Sequence, residues 1–288
     1  MKKLAAIALV LALASTACSG EGATEPTAET SISPTASAET IVIRASSDLA
    51  VGTERLLVAF ASPSGDRLGS PTQPVSMEIF PQDAPSDVQS VDGTFIWAIP
   101  GVSGLYRATV EFDRPGTWIA VPTLDGVELE AIGMTVSADS LTPAIGQAAP
   151  ASDTPTTAGG VELADISTDP NPDPAFYGLS IAEAVSTGRP TVVVFATPAF
   201  CQTAICGPTL EELKSMRPQF PDVNFVHVEV YDLVASGDAS SVEDLVVHPS
   251  VVEWGLPSEP WVFVVNAEGI VTGRFEGVVS QQEVDALL

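Results

Sequence analysis

Apolar and polar residues alternate in short runs between residues 40 and 138, as in β-strands with one buried face. Turn residues such as Asp92-Gly93 and Asp125-Gly126 separate these runs. The pattern predicts an all-β domain, an immunoglobulin-like sandwich, over residues 40–138. The predicted strands are 41–46, 53–62, 75–80, 94–99, 105–112, 117–123 and 129–138. The domain contains no cysteine or histidine, so we expect a spacer, a dimer surface or a platform for a partner.

The pattern changes twice after residue 138. Residues 139–175 are rich in Pro, Ala, Thr and Asp and lack apolar periodicity, which predicts a linker. Residues 176–288 alternate helix-like and strand-like runs, which predicts an α/β domain with a partly parallel sheet. The predicted helices are 179–187, 208–216, 242–254 and 280–288, and the predicted strands are 192–195, 223–230, 261–265 and 270–277.

The N-terminus has the order of an export signal. Lys2 and Lys3 precede an apolar run over residues 4–14, and small residues then lead to Cys18. This order resembles a bacterial lipoprotein signal peptide, which implies cleavage after residue 17 and lipidation of Cys18. A plain secretory signal and an N-terminal membrane anchor remain open. We expect an exported lipoprotein, held at the outer face of the cytoplasmic membrane (cell envelope) by its lipid, with residues 18–39 as a flexible tether.

The formal net charge of −26 at pH 7 limits the possible partners. Such a surface repels the phosphates of nucleic acids and the head groups of anionic lipids. We therefore expect no nucleic-acid partner, and contact with the membrane only through the N-terminal lipid. The sequence predicts no cofactor and no metal.

The stretch TPAFCQTAICGP, residues 197–208, contains the two cysteines that lipidation leaves free, Cys201 and Cys206. Thiols of exported proteins can persist as disulfides. In a continuous helix two residues five positions apart have Cα atoms roughly 9 Å apart, whereas a disulfide requires less than about 7 Å. A bridge therefore requires Cys201 in the loop and Cys206 near the start of the following helix.

The order of parts over residues 176–288 resembles a thioredoxin-like fold. A dithiol follows the first central strand and precedes a helix, and Glu259-Pro260-Trp261 precedes the last hairpin and a closing helix. The chain looks like the exported bacterial thioredoxin-like lipoproteins. The resemblance implies a thiol–disulfide oxidoreductase, an enzyme in which Cys201 attacks and Cys206 resolves. It also implies that Pro260 is cis and that Glu259 and Pro260 shape the substrate groove. The partners would be protein thiols or disulfides, or a redox partner protein.

Three features depart from thioredoxins. The two cysteines are separated by four residues rather than two, and the strand 192–195 lacks the usual buried acid. Glu259 places an anion before the implied cis-proline.

His227 and Glu229 share one face of the predicted strand 223–230, because side chains alternate along a strand. Either could accept a proton in place of the missing acid.

Other interpretations of the two cysteines stay open. Thr203 and Cys206 match the T-x-x-C core of peroxiredoxins. Those peroxidases also use an arginine at the start of the later strand, where this chain has Glu259-Pro260, and the nearest arginine downstream of that position is Arg274. Copper handling would use both thiolates and a histidine, but His248 lies well upstream of the later strand. Zinc has still fewer ligands available. The pair could also be a structural bridge, with the β-sandwich as a non-catalytic binding module.

Overall fold

The N-terminal part of the described chain consists of β-strands. The computed structural model describes residues 40–237 and 241–288, so the predicted signal (1–17), Cys18 and the tether (18–39) lie outside the described residues. The strands are β1 (Ile41–Arg44), β2 (Gly52–Ala61), β3 (Arg67–Leu68), β4 (Val75–Pro81), β5 (Gln89–Ile99), β6 (Ser103–Phe112), β7 (Gly116–Leu124), β8 (Val127–Glu128) and β9 (Ile132–Val136). Each of the seven predicted runs falls on a strand, whereas the two-residue strands β3 and β8 leave no apolar pattern to detect.

These strands pair antiparallel in the order β1-β2-β6-β5-β4-β7-β8, with β3 beside β2 and β9 beside β7. Strand β5 joins the two halves of this arrangement. Its first part, from Gln89 to Gly93, pairs with β4, and its second part, from Thr94 to Ile99, pairs with β6. The long β5 therefore passes from one set of neighbours to the other.

Alternation along the strands explains the core of this all-β region. Met77 and Ile79 of β4 are buried, while Glu78 between them is exposed. On the facing strands, Phe112 and Trp118 meet edge-on, with 5.0 Å between ring centroids. One face of each strand therefore supplies the apolar core, and the opposite face remains available for other contacts.

A mixed α/β region with a four-stranded sheet follows. Its strands are β10 (Thr191–Ala196), β11 (Asn224–Glu229), β12 (Trp261–Val265) and β13 (Val271–Glu276). Its helices are α1 (Ile181–Ser186), α2 (Cys206–Met216), α3 (Leu233–Ser236), α4 (Pro249–Glu253) and α5 (Gln281–Asp285). Short 3-10 helices lie at Leu163–Asp165, Pro174–Phe176, Arg217–Gln219 and Val242–Asp244. Within the described ranges, none of the helices has both the length and the apolar composition needed to cross a membrane.

The sheet order is β11-β10-β12-β13. Strand β10 is parallel to β11 and antiparallel to β12, which is antiparallel to β13. All six residues of β10 are buried, because both faces of the sheet are covered. Val192 and Val194 lie on the face covered by α2 and α5, and Val193 and Phe195 lie on the face covered by α1 and α4.

The helix predicted over 242–254 is wrong in extent. The structure has a 3-10 turn at Val242–Asp244 and then the separate helix α4. Pro249 occupies the first turn of α4, and the residue before it, His248, is extended with ψ of 135°. A proline disfavours the helical conformation in the residue that precedes it, so a helix cannot continue through this point.

Residues 139–175 run along the α/β region and are held by polar contacts. The Val271 amide donates to the Gln147 carbonyl at 2.9 Å, and the Ile181 amide donates to the Thr154 hydroxyl at 3.1 Å. Because these contacts involve backbone groups and small hydroxyls, they produce no periodic pattern of apolar residues in the sequence.

The all-β region and the α/β region contact each other within one compact unit. Leu57, Ile96 and Leu105, on the outer face of the β-strands, pack with Val278 and with Ile205 of the cysteine loop.

A buried ion pair adds polar contacts to this interface. The Arg55 side chain donates to both carboxylate oxygens of Glu283, at 2.8 and 3.2 Å, and to the carbonyls of Glu276 and Val278. The Arg55 and Glu283 side chains are 15% and 8% exposed.

Removal of the Arg55 side chain is expected to destabilise the protein strongly. Arg55→Ala leaves the Glu283 carboxylate buried without its main counter-charge, a change that costs about 3–5 kcal/mol in other buried pairs. Urea denaturation of the variant and the wild type measures the difference in free energy of unfolding.

Arg114→Ala is the matched control, because Arg114 pairs with the exposed carboxylates of Asp87 and Asp113. Exposed pairs are screened by water and contribute little to stability, so a much smaller loss is expected. Equal losses for the two variants would contradict a structural role of the Arg55 pair.

Candidate functional site

The two cysteines of the C-terminal region form a disulfide, Cys201–Cys206. Strand β10 ends at Ala196 and α2 begins at Cys206, so Cys201 lies in the loop of residues 197–205. The two Cα atoms are 6.0 Å apart, within the range that a disulfide allows. The predicted geometric requirement is confirmed: Cys201 is in the loop and Cys206 is the first residue of the helix.

The two sulfur atoms have different surroundings. Cys206 is fully buried at the start of α2, whereas Cys201 is partly exposed. The Cys206 amide and the Thr203 hydroxyl both lie 3.3 Å from the Cys201 sulfur and can donate hydrogen bonds to it. After reduction, donors at a helix N-terminus stabilise a thiolate and lower its pKa. Of the two sulfur atoms, Cys201 is therefore the more accessible and the one with hydrogen-bond donors beside it.

Glu229 is a buried carboxyl group at the end of β11, beside Ala196 of β10. It is 4% exposed, and its Oε1 accepts hydrogen bonds from the hydroxyls of Thr168 at 2.6 Å and Thr197 at 2.8 Å. Burial raises the pKa of Glu229 to about 7, in spite of these hydrogen bonds. Glu229 can therefore exchange a proton near neutral pH.

The hydrogen bonds of Glu229 connect it to the cysteine loop. Thr197 is the first residue of that loop. The Thr168 hydroxyl, which donates to Glu229, also accepts from the Ala199 amide at 3.1 Å. Two contacts thus hold the start of the loop against the buried carboxyl group.

His227 lies on the same strand face as Glu229, and both of its ring nitrogens are occupied. Nε2 donates to the Ala196 carbonyl at 3.0 Å, and Nδ1 accepts from the Tyr177 hydroxyl at 2.7 Å. Burial lowers the pKa of His227 to about 4. His227 is therefore neutral at pH 7 with its lone pair already in use, which leaves Glu229 as the better proton acceptor. A cavity of about 280 Å³ borders both residues.

Pro260 lies at the same edge of the sheet as the disulfide loop. Trp261 of β12 pairs with Phe195 of β10. Pro260, the residue before Trp261, therefore lies beside the end of β10 at which the loop begins. The Glu259–Pro260 peptide bond is cis, as the resemblance implies. The Pro260 carbonyl accepts from the Gly277 amide at 2.8 Å.

Glu259 borders an open cavity of about 430 Å³, which is also lined by Tyr231 and by apolar residues that include Val252 and Leu256. Burial raises the pKa of the Glu259 carboxyl. Tyr231 packs edge-on against Phe200, with 5.9 Å between ring centroids. Because Phe200 precedes Cys201, aromatic contacts connect this cavity to the disulfide loop.

The residues named for the rival chemistries have other partners. Arg274 donates to the carbonyl and the carboxylate of Asp48 and lies over the Trp261 ring. His248 bonds through Nδ1 to the Ser250 hydroxyl. In the part of the chain that the structure describes, no three His, Cys, Asp or Glu side chains are grouped so that they could hold a metal ion.

Sequence reasoning missed Thr168, Tyr177 and Thr197 as partners of the site. Thr197 directly follows a buried strand, which is a weak signal for a residue at a sheet edge. Thr168 lies in the segment interpreted as a linker, 61 residues from Glu229. Nothing in the local sequence pattern connects the two positions.

Comparisons with known proteins give little further information. No family model matches the chain, and no curated protein matches it. Among solved structures, the chain is similar to the crystal structure of the Lin-41 filamin domain, with 15% sequence identity and a TM-score of 0.25. That match covers 35% of this chain and 96% of the other. The likeness is too weak to support an argument about function.

The raised pKa of Glu229 predicts a pH-dependent effect of Glu229→Gln on stability. Between the unfolded pKa of 4.5 and the folded pKa of about 7, only the folded state holds the proton. The contribution of Glu229 to stability therefore falls as the pH rises through this window, by about 3 kcal/mol. The stability of the wild type relative to Glu229→Gln should fall by this amount and level off above pH 7.

Urea denaturation at pH values from 4.5 to 8 measures this difference. The titration of His227 acts in the opposite direction but is present in both proteins, so it largely cancels. Glu268→Gln, at an exposed position in the β12–β13 turn, is the control. A difference between the wild type and Glu229→Gln that does not change with pH would contradict the raised pKa.

Proposed function

We propose that this protein is an extracytoplasmic thiol–disulfide oxidoreductase that acts on protein disulfides through Cys201 and Cys206. The observation that carries the proposal is the position of the disulfide at the start of α2, with one partly exposed sulfur and one buried sulfur. An attacking thiol must be reachable by a substrate, whereas a resolving thiol needs only to reach its neighbour. Cys201 and Cys206 fit these two roles.

The reaction begins from the reduced dithiol. The Cys201 thiolate attacks one sulfur of a substrate disulfide, forms a mixed disulfide and releases the other substrate sulfur as a thiolate. The Cys206 thiol then loses its proton and attacks the Cys201 sulfur. The Cys201–Cys206 disulfide forms, and the second substrate thiolate leaves. Two electrons pass from the protein to the substrate, and an external dithiol or redox partner protein restores the reduced pair.

Glu229 is the proposed acceptor of the Cys206 proton. It lies on the sheet face that packs against α2, the helix that begins with Cys206. Its pKa of about 7 allows it to take up a proton and release it again near neutral pH. Glu229 also borders the cavity of about 280 Å³, through which we propose that the proton reaches solvent.

Glu259 and Pro260 are the proposed walls of the groove for the substrate peptide. Pro260 lies at the sheet edge from which the disulfide loop begins. The neighbouring cavity combines apolar side chains with the Glu259 carboxyl. A groove of this composition accommodates an extended segment of a protein substrate.

The fold and the location belong to the same proposal. The sheet order β11-β10-β12-β13, with a dithiol helix after β10, supports a thioredoxin-like fold for residues 176–288. The paired antiparallel strands before it support an immunoglobulin-like sandwich. The sequence around Cys18 supports export and lipid anchoring.

Reduction of insulin disulfides tests the enzymatic activity. With dithiothreitol as the reductant, the wild type should accelerate insulin reduction, whereas Cys201→Ser should give the rate of dithiothreitol alone. After dithiothreitol has been removed, since it would cleave the product, reduced Cys206→Ser should accumulate a mixed disulfide with insulin at Cys201, because the resolving thiol is absent. Mass spectrometry of the trapped species identifies the attacking cysteine. Glu229→Gln should slow turnover at pH 7 by about tenfold or more.

The absence of turnover by the wild type would reject the enzymatic proposal. A reduction potential far below about −300 mV would then indicate a structural bridge, and would leave the protein as a binding module. If the mixed disulfide between Cys206→Ser and insulin formed through a residue other than Cys201, that result would reject Cys201 as the attacking group.

A further inference from the structure

A cavity between the all-β region and the α/β region lies away from both cysteines. Its volume is about 780 Å³, in the size range of small-molecule sites, which are common where two regions meet. Strands β2 and β6 form one side. Strand β13, helix α5 and part of the 138–147 segment form the other.

Basic residues are concentrated in this cavity. The chain has 11 basic residues, of which Lys2 and Lys3 lie outside the described ranges. Three of the remaining nine, Arg55, Arg107 and Arg274, line the cavity. In a chain with a net charge of −26, this is an unusual gathering of positive charge.

Two of the three arginines are already neutralised by direct hydrogen bonds. Arg55 bonds to Glu283 at 2.8 Å, and Arg274 bonds to Asp48 at 3.1 Å. Arg107 differs, because its buried Nε has no hydrogen-bond partner among the described residues. The carboxylate oxygen nearest to it belongs to Glu283, at 3.5 Å, and Glu283 is already bonded to Arg55.

The remaining carboxylates of the cavity limit the charge that it can accept. Glu54, which lies 3.7 Å from Arg274, and the exposed Asp139 line the cavity together with Glu283. A ligand with several negative charges would be repelled by these groups. Arg107, which has only the longer 3.5 Å contact with Glu283, is therefore the one of the three guanidinium groups that can still donate a direct hydrogen bond to a ligand with a single negative charge.

Apolar side chains form much of the rest of the wall. Val51, Ile145 and Leu287 line the cavity and are 41%, 61% and 37% exposed to water. Large apolar side chains that gather at a cleft mark binding sites, because a ligand that covers them removes apolar surface from water.

We propose that this cavity binds a small amphipathic monocarboxylate, whose carboxylate pairs with Arg107 and whose apolar body covers Val51, Ile145 and Leu287. The planar guanidinium offers a fork of N–H donors that fits a carboxylate. The site is separate from the proposed redox reaction, since neither cysteine lines it.

Isothermal titration calorimetry with 1-naphthylacetate and the neutral 1-naphthylacetamide tests the proposal, because these probes share their apolar body and differ in charge. The wild type should bind the acid about tenfold or more tightly than the amide, since hydrogen bonds to charged groups are the stronger ones. Arg107→Gln should remove this preference and leave binding of the amide unchanged. Arg44→Gln, an exposed position outside the cavity, should bind as the wild type does.

Thr109→Glu provides a second variant that does not alter Arg107. Thr109 is an exposed residue of β6 that lines the cavity, and a carboxylate there should weaken binding of the acid alone. Equal affinity of the wild type for the two probes, unchanged binding by Arg107→Gln, or no binding of the acid at low millimolar concentration would each overturn the proposal. The cysteine variants should bind the acid normally, so failure of the redox proposal would not affect this result.

Discussion

The pairing of β10 with a neighbour on each side is the interaction on which the candidate site depends. The parallel pairing with β11 brings Glu229 beside Ala196, and the antiparallel pairing with β12 brings Pro260 to the same edge. The loop that contains Cys201 begins at this edge. Because β10 is buried on both faces, a shift of one residue would move each of its side chains into the packing layer on the opposite face of the sheet.

The all-β region completes the surroundings of the disulfide. Ile205, the residue before Cys206, packs in the same cluster as Leu57 and Ile96 of the β-strands. Arg55 bonds to the carbonyls of Glu276 and Val278, which follow one another closely at the end of β13. The all-β region thus supports the loop and the last hairpin from outside the α/β sheet.

Local rules explain what the sequence could predict. The alternation of apolar and polar residues located each longer strand of the β region. The dimensions of a helix showed that a disulfide requires Cys201 to lie outside α2. The shared strand face of His227 and Glu229 also followed from alternation alone. The partners of these side chains did not follow, because Tyr177 lies 50 residues from His227 and Thr168 lies 61 residues from Glu229. Single hydrogen bonds between distant segments produce no periodic pattern.

The segment of residues 139–175 contributes to the site through ionic contacts as well as hydroxyls. Lys214 of α2 bonds to Asp169 at 2.8 Å, and Arg217, just after the helix, bonds to Asp173 at 2.9 Å. Thr168, in the same segment, bonds to Glu229 at the sheet edge. The segment therefore holds the far end of the helix that begins at Cys206 and also holds the buried carboxyl group. A stretch with the composition of a linker can fix a site in this way, because a few directed polar contacts add to the packing of single apolar residues such as Ile166 against the α/β core.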